Sequence, residues 1–560
     1  MFINTELFKT EAREFVKKGF YNRDPFGSPA WFDYWTEQLR RCTEGYSVGG
    51  VKITGDHYGY LNFNRIKLTT DDRQENVTKK RIIGKKILTF PDFWDGDYEY
   101  FWIKEIARNG ISEENYNKLG LSVKIKLEHL VGGKNLCVAK ARRKGFSYKN
   151  SWIATNVYNT IKNSVSIIAA YEKKYLYPKG TMSMVSDNLD FLNEFTGWAK
   201  KRDFINIREH KRASYKFTDE RGNIIEKGFK SEVIALSFMD NPDAARGKDA
   251  NLVLIEEGGV FDNLKASYSA LEPLTRSGTV QTGQIILFGT GGDMEKGTID
   301  FEDMFYDPES YNMIAVENKW DEDLNNTFCS YYFPDKKNKD GFIDKDGNSD
   351  EDGAERYEQI KRELLRKTAK DKKVLDRHIV EYSNKPKETF LRIKGNIFPI
   401  IDLQKILGTL EGKKDEQNYW IGNLIQNVDG KIEWEADSKL SPILDFPIKD
   451  KTRDTTGCVI IYEQPLEYPD GIPHGMYIAG IDPYDHDKSK TGSLGSTLIY
   501  NRLTKKIVAE YTARPETSKD YYEIVRRLLL YYNARALYEN EKKGIFDYFE
   551  YKNCEYLLAD

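Results

Sequence analysis

Long apolar runs are missing. No stretch approaches the ~18–20 residues that cross a bilayer, and the opening segment MFINTELFKTEAREF mixes acids with bases and has no apolar signal core. The expectation is a soluble cytosolic protein with no membrane contact. Cysteine is scarce. Cys42, Cys137, Cys329, Cys458 and Cys554 are odd in number, far apart and never spaced as CxxC, which argues against a zinc site or a disulfide framework. The six histidines form no HExxH and no cluster with cysteine, so no motif supports a zinc protease or Ser/His/Asp or Cys/His catalysis. Charge of one sign is lacking too. Lys and Arg total 85 against 88 Asp and Glu, a formal net charge of −3. A basic tail protein and a strongly acidic disordered chain are excluded, whereas a local basic groove for nucleic acid is not. No internal repeat and no low-complexity tract appears.

What is present is a large chain with enough apolar residues for real cores: 560 residues, 39% of them hydrophobic. At roughly 100–200 residues per domain this predicts three or four domains, or two large ones. Near the N-terminus a helix is expected over about Pro29–Arg40, then two short Gly-punctuated strands, VGGVKITG and HYGYLNFNRI. The aromatic cluster FPDFWDGDYEYFWIKEIA follows in a more helical stretch, where core packing is the favoured role for each ring. From residue 135 the order is apolar run (NLCVAKA), basic turn (RRKGFS), helical spacing (SYKNSWIATNVYNTI) and β-branched run (SVSIIAAY), which reads as a βαβ unit in a parallel sheet. NLVLIEE and GQIILFGTGGD look like further buried parallel strands. Residues 334–353 are charged and Gly-rich. With Gly353 at the turn position a calcium loop would need Asp and Glu where Asn348 and Gln359 stand, so a solvated surface loop is the better reading. A highly charged helix is expected over 354–373. A boundary falls near 395–415. Beyond it come six strands, the helix SKDYYEIVRRLLLYYN and the strand ARALYEN, a second α/β domain.

The first candidate site is Lys140-Ala-Arg-Arg-Lys-Gly-Phe-Ser147. The ordinary phosphate loop is GxxxxGK[ST], and here Phe146 stands where its lysine belongs. The physics is nevertheless that of a phosphate loop: a strand ends, a turn containing Gly145 exposes backbone N–H groups, and a helix begins at a hydroxyl residue. Ser147 can place its oxygen on magnesium. Lys140 can reach over the turn to the β- and γ-phosphates, and Arg142, Arg143 and Lys144 add positive charge. A basic surface turn is the bland alternative. Against it stands Leu252-Val-Leu-Ile-Glu256-Glu257, a strand ending in two carboxylates, one suited to magnesium and one to the attacking water. The strand ending GTGGD could sense the phosphate state.

These three motifs, in this order, resemble the large terminase subunit of tailed bacteriophages, the ATP-driven DNA-packaging motor. The displaced lysine is similar to the variant loop of lambda-type terminases, with Lys140 five residues before Gly145, Phe146 after it and Arg143 at the loop arginine. Glu256 departs from the commoner aspartate. Asn241-Pro-Asp-Ala-Ala-Arg246-Gly, Gly289-Thr290 and Lys385-Pro-Lys-Glu-Thr-Phe390 also look like the family. The resemblance covers roughly 90–560. It implies an α/β protein: an accessory region at 1–90, a P-loop NTPase domain at 91–400 (parallel sheet, helices on both faces, a lid or linker at its end) and an RNase H-like nuclease domain at 401–560. It also implies ATP with Mg2+, duplex DNA, a portal protein, a small terminase subunit and a homo-oligomeric ring that docks on the procapsid portal in the host cytoplasm. Glu257 would orient water. Arg143 is the first choice for the transition-state arginine, with Arg246 or a neighbouring subunit's arginine second.

The second candidate site lies in Ile478-Ala-Gly-Ile-Asp482, an apolar strand carrying an acid, followed later by Ala536-Leu-Tyr-Glu539-Asn540. Acids on two strands can converge over a sheet, and two metal ions need several such carboxylates. The resemblance maps the nuclease acids for Mg2+ or Mn2+ to Asp482 and Glu539. The family's third acid lies well beyond the second, yet Asp560 is only 21 positions past Glu539, and Asp547 and Asp560 are poorly spaced. The expectation is a truncated chain, or a third acid from elsewhere, such as Asp485 or Asp487. Two rival readings remain: a helicase or repair ATPase with a nuclease, for which helicase motifs are lacking, and a DNA-binding module with degenerate sites.

Overall fold

A computed structural model describes residues 2–70, 85–239, 249–291, 295–324, 327–369, 373–391, 419–444, 448, 454–485, 493–539 and 543–559. The chain divides into two compact units, residues 1–408 and 409–560. The expected boundary at 395–415 lies outside the described residues.

The first unit opens with helices Thr10–Lys18 and Pro29–Glu44, the latter started by Ser28, whose hydroxyl accepts from the Trp31 amide, and by Pro29 at its first position. The hairpin Tyr46–Val48/Val51–Ile53 follows. The expected strand HYGYLNFNRI is instead a helix, Gly55–Phe63. Every one of its side chains is buried, so the alternation of a half-exposed strand is absent, and the Thr54 hydroxyl caps it by accepting from the His57 amide at 3.2 Å. Helix α1 (Asp95–Asn109) carries the aromatic cluster. Phe90, Phe93, Tyr98, Tyr100, Phe101 and Trp102 are all core residues.

The strands of the main sheet are β1 (Leu136–Lys140), β2 (Val165–Ala170), β3 (Ile205–Ile207), β4 (His210–Thr218), β5 (Ile224–Ser237), β6 (Leu252–Glu256), β7 (Gln284–Gly289) and β8 (Tyr331–Phe333). Their order is β8-β1-β7-β6-β2-β5-β4-β3. Neighbours from β8 to β5 run parallel, while β5-β4 and β4-β3 are antiparallel. The sheet is therefore mixed, not purely parallel as expected. The difference is a β4–β5 ribbon turned by Asp219–Asn223, where Asp219 accepts the Arg221 and Asn223 amides. Continuous Val/Ile/Leu runs make β1, β6 and β7 fully buried, as strands covered on both faces must be. Helix α2 (Phe146–Thr160) follows β1, and α3 (Thr181–Phe195) follows β2.

The segment 334–353 is not a free solvated loop. Asp344 accepts the amides of Asp346 and Asn348, while Asn348 and Asp346 accept those of Phe2 and Asn4, so the turn clasps the chain's first residues. Helices α4 (Glu351–Thr368), α5 (Lys373–Glu381) and α6 (Pro386–Thr389) end the described part of this unit.

The second unit holds β9 (Trp420–Gln426), β10 (Ile432–Ala436), β11 (Val459–Ile461), β12 (Tyr477–Asp482), β13 (Gly495–Asn501), β14 (Lys506–Ala513) and β15 (Arg535–Tyr538), in the order β10-β9-β11-β14-β13-β12-β15. Pairing is antiparallel except β12-β15, which is parallel because helix α7 (Ser518–Tyr532) returns the chain before β15. Along β12 the side chains alternate strictly, with Tyr477, Ala479 and Ile481 buried and Ile478, Gly480 and Asp482 exposed. Helix α8 (Gly544–Tyr551) follows. No helix among the described residues is long and apolar enough to cross a membrane.

Candidate functional site: an anion turn facing two glutamates

Lys140 is the last residue of β1, and the pairing of β1 with β7 and of β7 with β6 brings the carboxyl ends of all three strands together. The turn after β1 places Arg143 and Gly145 in the left-handed region, φ 62° and 70°. For Arg143 that conformation costs about 1 kcal/mol or more, a strain that persists only where the surroundings impose it. The turn tips the backbone so that the amides of Arg143, Lys144, Gly145, Phe146 and Ser147 find no hydrogen-bond partner among the described residues. Five consecutive unpaired N–H groups at the start of a 15-residue helix form an anion site.

Across from this turn stand the two acids. The Lys140 ammonium donates to Glu257 Oε1 at 3.2 Å, over a sequence gap of 117 residues. The Ser147 hydroxyl donates to Glu256 Oε1 at 2.7 Å, over a gap of 109. The Thr181 hydroxyl donates to the other oxygen, Glu256 Oε2. Glu257 Oε2 accepts from the Thr290 amide at 3.1 Å and from its hydroxyl at 3.2 Å. Glu257 is itself left-handed, φ 55°, a second strained non-glycine position in the same site.

The adjacent carboxyls are driven apart electrostatically. Burial pushes Glu256 up to about 7 against the pull of the Thr181 and Ser147 hydroxyls, with the neighbouring Glu257 charge adding to the rise. Burial acts on Glu257 too, but the Lys140 ammonium and the Thr290 amide outweigh it and hold this carboxyl below its ordinary value. Two acids separated in this way take different roles. Glu256 is a desolvated carboxyl that a nearby cation would ionise. Glu257 is already ionised. Ser147 and Glu256 offer adjacent hard oxygen donors of the kind magnesium takes alongside phosphate, so the residues fit that ion.

Other sequence expectations have different fates. Phe146 contributes only its backbone to the turn. Its ring is 2% exposed and meets Tyr100 at 4.8 Å and Phe333 at 5.2 Å. Lys144, expected beside phosphate, is turned into the protein. Its ammonium donates to the carbonyls of Asp335 and Lys337 and pairs with the Asp335 carboxylate at 3.2 Å, which leaves no proton for a ligand. Burial holds it at about 8. Arg142 is paired with Glu381 at the end of α5. Arg143 is exposed and makes no ion pair among the described residues. Arg246, Gly292 and Asp293 lie outside the described residues. Thr181 was not read from the sequence. Its signal was faint: a hydroxyl residue after Gly180, at the start of the helix that follows β2.

In the second unit, Asp482 ends β12 on its exposed face, and the Glu539 amide donates to the Ile481 carbonyl at 3.2 Å, extending the parallel register by one residue. Asp482 and Glu539 therefore sit at adjacent strand ends, both exposed. Asp485 has a structural role instead, accepting from the Tyr522 hydroxyl at 2.8 Å and the Gly544 amide at 3.2 Å. Asp547 is exposed on α8. Asp487, Asn540 and Asp560 lie outside the described residues. Among the described residues, no three His, Cys, Asp or Glu side chains gather as a metal cluster.

Fold and site together define a mixed α/β protein whose phosphate-type turn faces two carboxylates across parallel strand ends. No family model matches the chain, and no curated protein matches it. Solved structures to which it is similar are large terminases. The ATPase domain from Thermus phage P74-26 is 13% identical, with a TM-score of 0.30, over 46% of this chain and 88% of that one. The bacteriophage HK97 large terminase is 8% identical, with a TM-score of 0.26, over 83% and 85%. The large terminase of the thermophilic bacteriophage D6E, in complex with ADP, is 7% identical, with a TM-score of 0.25, over 75% and 76%. Likenesses this remote add nothing to the chemistry, which rests on the side chains described above.

Proposed function

We propose that the first unit is a P-loop ATPase and that the chain is a DNA-packaging motor subunit coupling ATP hydrolysis to translocation of duplex DNA. The observation that carries this reading is the meeting of Lys140 with Glu257 and of Ser147 with Glu256 around five unpaired amides. The amides of 143–147 receive the phosphates. Magnesium, which Ser147 and Glu256 would hold, supplies neutralisation of the β- and γ-phosphate charge. Lys140 exchanges its glutamate partner for phosphate. Glu257, released from the ammonium yet still held by Thr290, orients the attacking water in line with the γ-phosphorus. Arg143, exposed beside the turn, is the first choice to stabilise charge as the bond breaks.

Thr290 links this event to the end of the unit. The next residue, Gly291, lies so near α6 that a Cβ there would stand 1.7 Å from the Thr389 carbonyl oxygen. A shift of Glu257 would reach α6 through this backbone contact. Duplex DNA, a portal, a small terminase subunit and a ring of copies docked on a procapsid belong to the same proposal.

The decisive experiment is ATP turnover by Lys140→Ala. The expected loss in kcat/KM is about 100- to 1,000-fold, the scale seen when one preorganised charge-stabilising group is removed, measured at a temperature where circular dichroism shows the variant folded. Unchanged turnover would discard the loop assignment.

For the second unit, the order β14-β13-β12-β15 with a parallel β12-β15 pair supports an RNase H-like nuclease carrying Asp482 and Glu539. Manganese-dependent plasmid nicking should fall at least about tenfold in Asp482→Ala. Nicking that survives this substitution would remove Asp482 from the nuclease.

A further inference from the structure

We infer that Thr181 is a positioning residue for Glu256. From the first turn of α3 it fixes one carboxylate oxygen so that the other faces Ser147 and the cation position. The inference rests on the ATPase reading above and concerns how a glutamate does work that a shorter acid would do with less freedom.

Glu256 has two hydroxyl partners, and they are not equivalent. Ser147 meets Oε1 and is itself a candidate ligand, so its hydrogen bond must be given up when a cation binds. Thr181 meets Oε2 and has no such second task. A glutamate side chain turns about one more bond than aspartate, so an unsupported Glu256 could swing away from the turn. The Thr181 hydroxyl supplies the missing restraint by committing Oε2 to α3.

Thr181 is held firmly enough for this. It is fully buried. The chain reaches it through a turn anchored by the buried Leu176, whose carbonyl accepts the amides of Met182 and Ser183 at 3.2 and 3.4 Å. Gly180 is required immediately before it, since a Cβ there would stand 1.8 Å from the Tyr175 carbonyl oxygen. Glu256 is therefore clamped between α2 and α3, with one oxygen committed to α3 and one left for chemistry. Groups that hold a metal-binding side chain in this way typically govern metal affinity by 10- to 100-fold.

The test is Mn2+ binding to the full chain in the presence of ADP, read by electron paramagnetic resonance, for the wild type, Thr181→Val and Thr181→Ser. The expected result is Mn2+ binding about 10- to 100-fold weaker in Thr181→Val, near wild type in Thr181→Ser, and metal-free ADP binding unchanged in both. If Thr181→Val is insoluble, Thr181→Ala, which adds no volume, is read in the same way. Wild-type Mn2+ affinity in the substituted protein would overturn the inference. So would an equal loss of metal-free ADP binding, which would mean general collapse of the site. A wild type that binds ADP but shows no ADP-dependent Mn2+ binding would remove the cation assignment of Ser147 and Glu256 together with this inference, whereas one that binds no ADP would sink the nucleotide reading itself.

Discussion

Glu257→Gln should hold ATP at least as tightly as the wild type and hydrolyse it about a thousandfold more slowly or worse. The two halves of that result come from separate contacts. Hydrolysis needs a carboxylate to orient water, and Glu257 is the ionised member of the pair, held below its ordinary value by Lys140 and Thr290. An amide keeps the shape and can still accept from Thr290, but it cannot take up a developing positive charge. Binding responds in the opposite direction. Without nucleotide, the Lys140 ammonium is committed to Glu257 at 3.2 Å. Any phosphate must displace that carboxylate, and glutamine removes the competition. Single-turnover kinetics with radiolabelled ATP separate the two effects, and a nucleotide titration measures the second. A kcat within tenfold of the wild type would dismiss Glu257 as the water-orienting group. A weakened affinity would instead show that the Lys140–Glu257 pair organises the site.

The main elements of this site were legible because buried parallel strands announce themselves as continuous apolar runs. NLCVAKA, SVSIIAAY, NLVLIEE and GQIILFG became β1, β2, β6 and β7, and the acids at their ends landed where spacing placed them. The apolar run MYIAGID likewise became β12, with Asp482 at its end, and the structure adds that Asp482 lies on the exposed face. What misled was direction rather than existence. Lys144 and Arg142 are basic residues in a basic turn, and nothing local says that Asp335 and Glu381, some 190 and 240 positions away, claim them. Thr181 was invisible for the same reason, since its value depends on where α3 begins relative to β6. The helix Gly55–Phe63 was misread because it is buried on every face, with Asp56, His57 and Asn62 among the buried residues, so its sequence carries no apolar period. The β4–β5 ribbon was missed because its exposed half, mixing Lys216, Phe217, Ile224 and Lys227, has no buried face to impose alternation.

Restoring the ordinary phosphate-loop lysine should damage the protein rather than improve it. Phe146→Lys is expected to destabilise the first unit by about 4 kcal/mol or more. The ring at 146 is a core element among Tyr100, Phe288 and Phe333, and truncating such a ring costs about 3–5 kcal/mol. Charge makes the substitution worse. The Lys149 ammonium already lies 4.4 Å from the centre of the Phe146 ring and pairs with Asp97 at 2.6 Å, with both side chains almost fully buried. Burial, with the Lys140 charge adding to it, holds that lysine below its ordinary value against the pull of Asp97. A second ammonium beside it would lose the cation–π contact and leave two cations for one carboxylate, an arrangement whose desolvation cost runs to several kcal/mol. Phe146→Leu keeps the volume roughly and the charge count exactly as it was, so it should cost about 1–2 kcal/mol. Denaturant midpoints of the two variants without nucleotide measure the contrast. If Phe146→Lys proves as stable as Phe146→Leu and binds ATP, the side chain at 146 has room to turn toward the phosphates. The reach of Lys140 from the end of β1 would then be one of two workable arrangements and not the one that this core enforces.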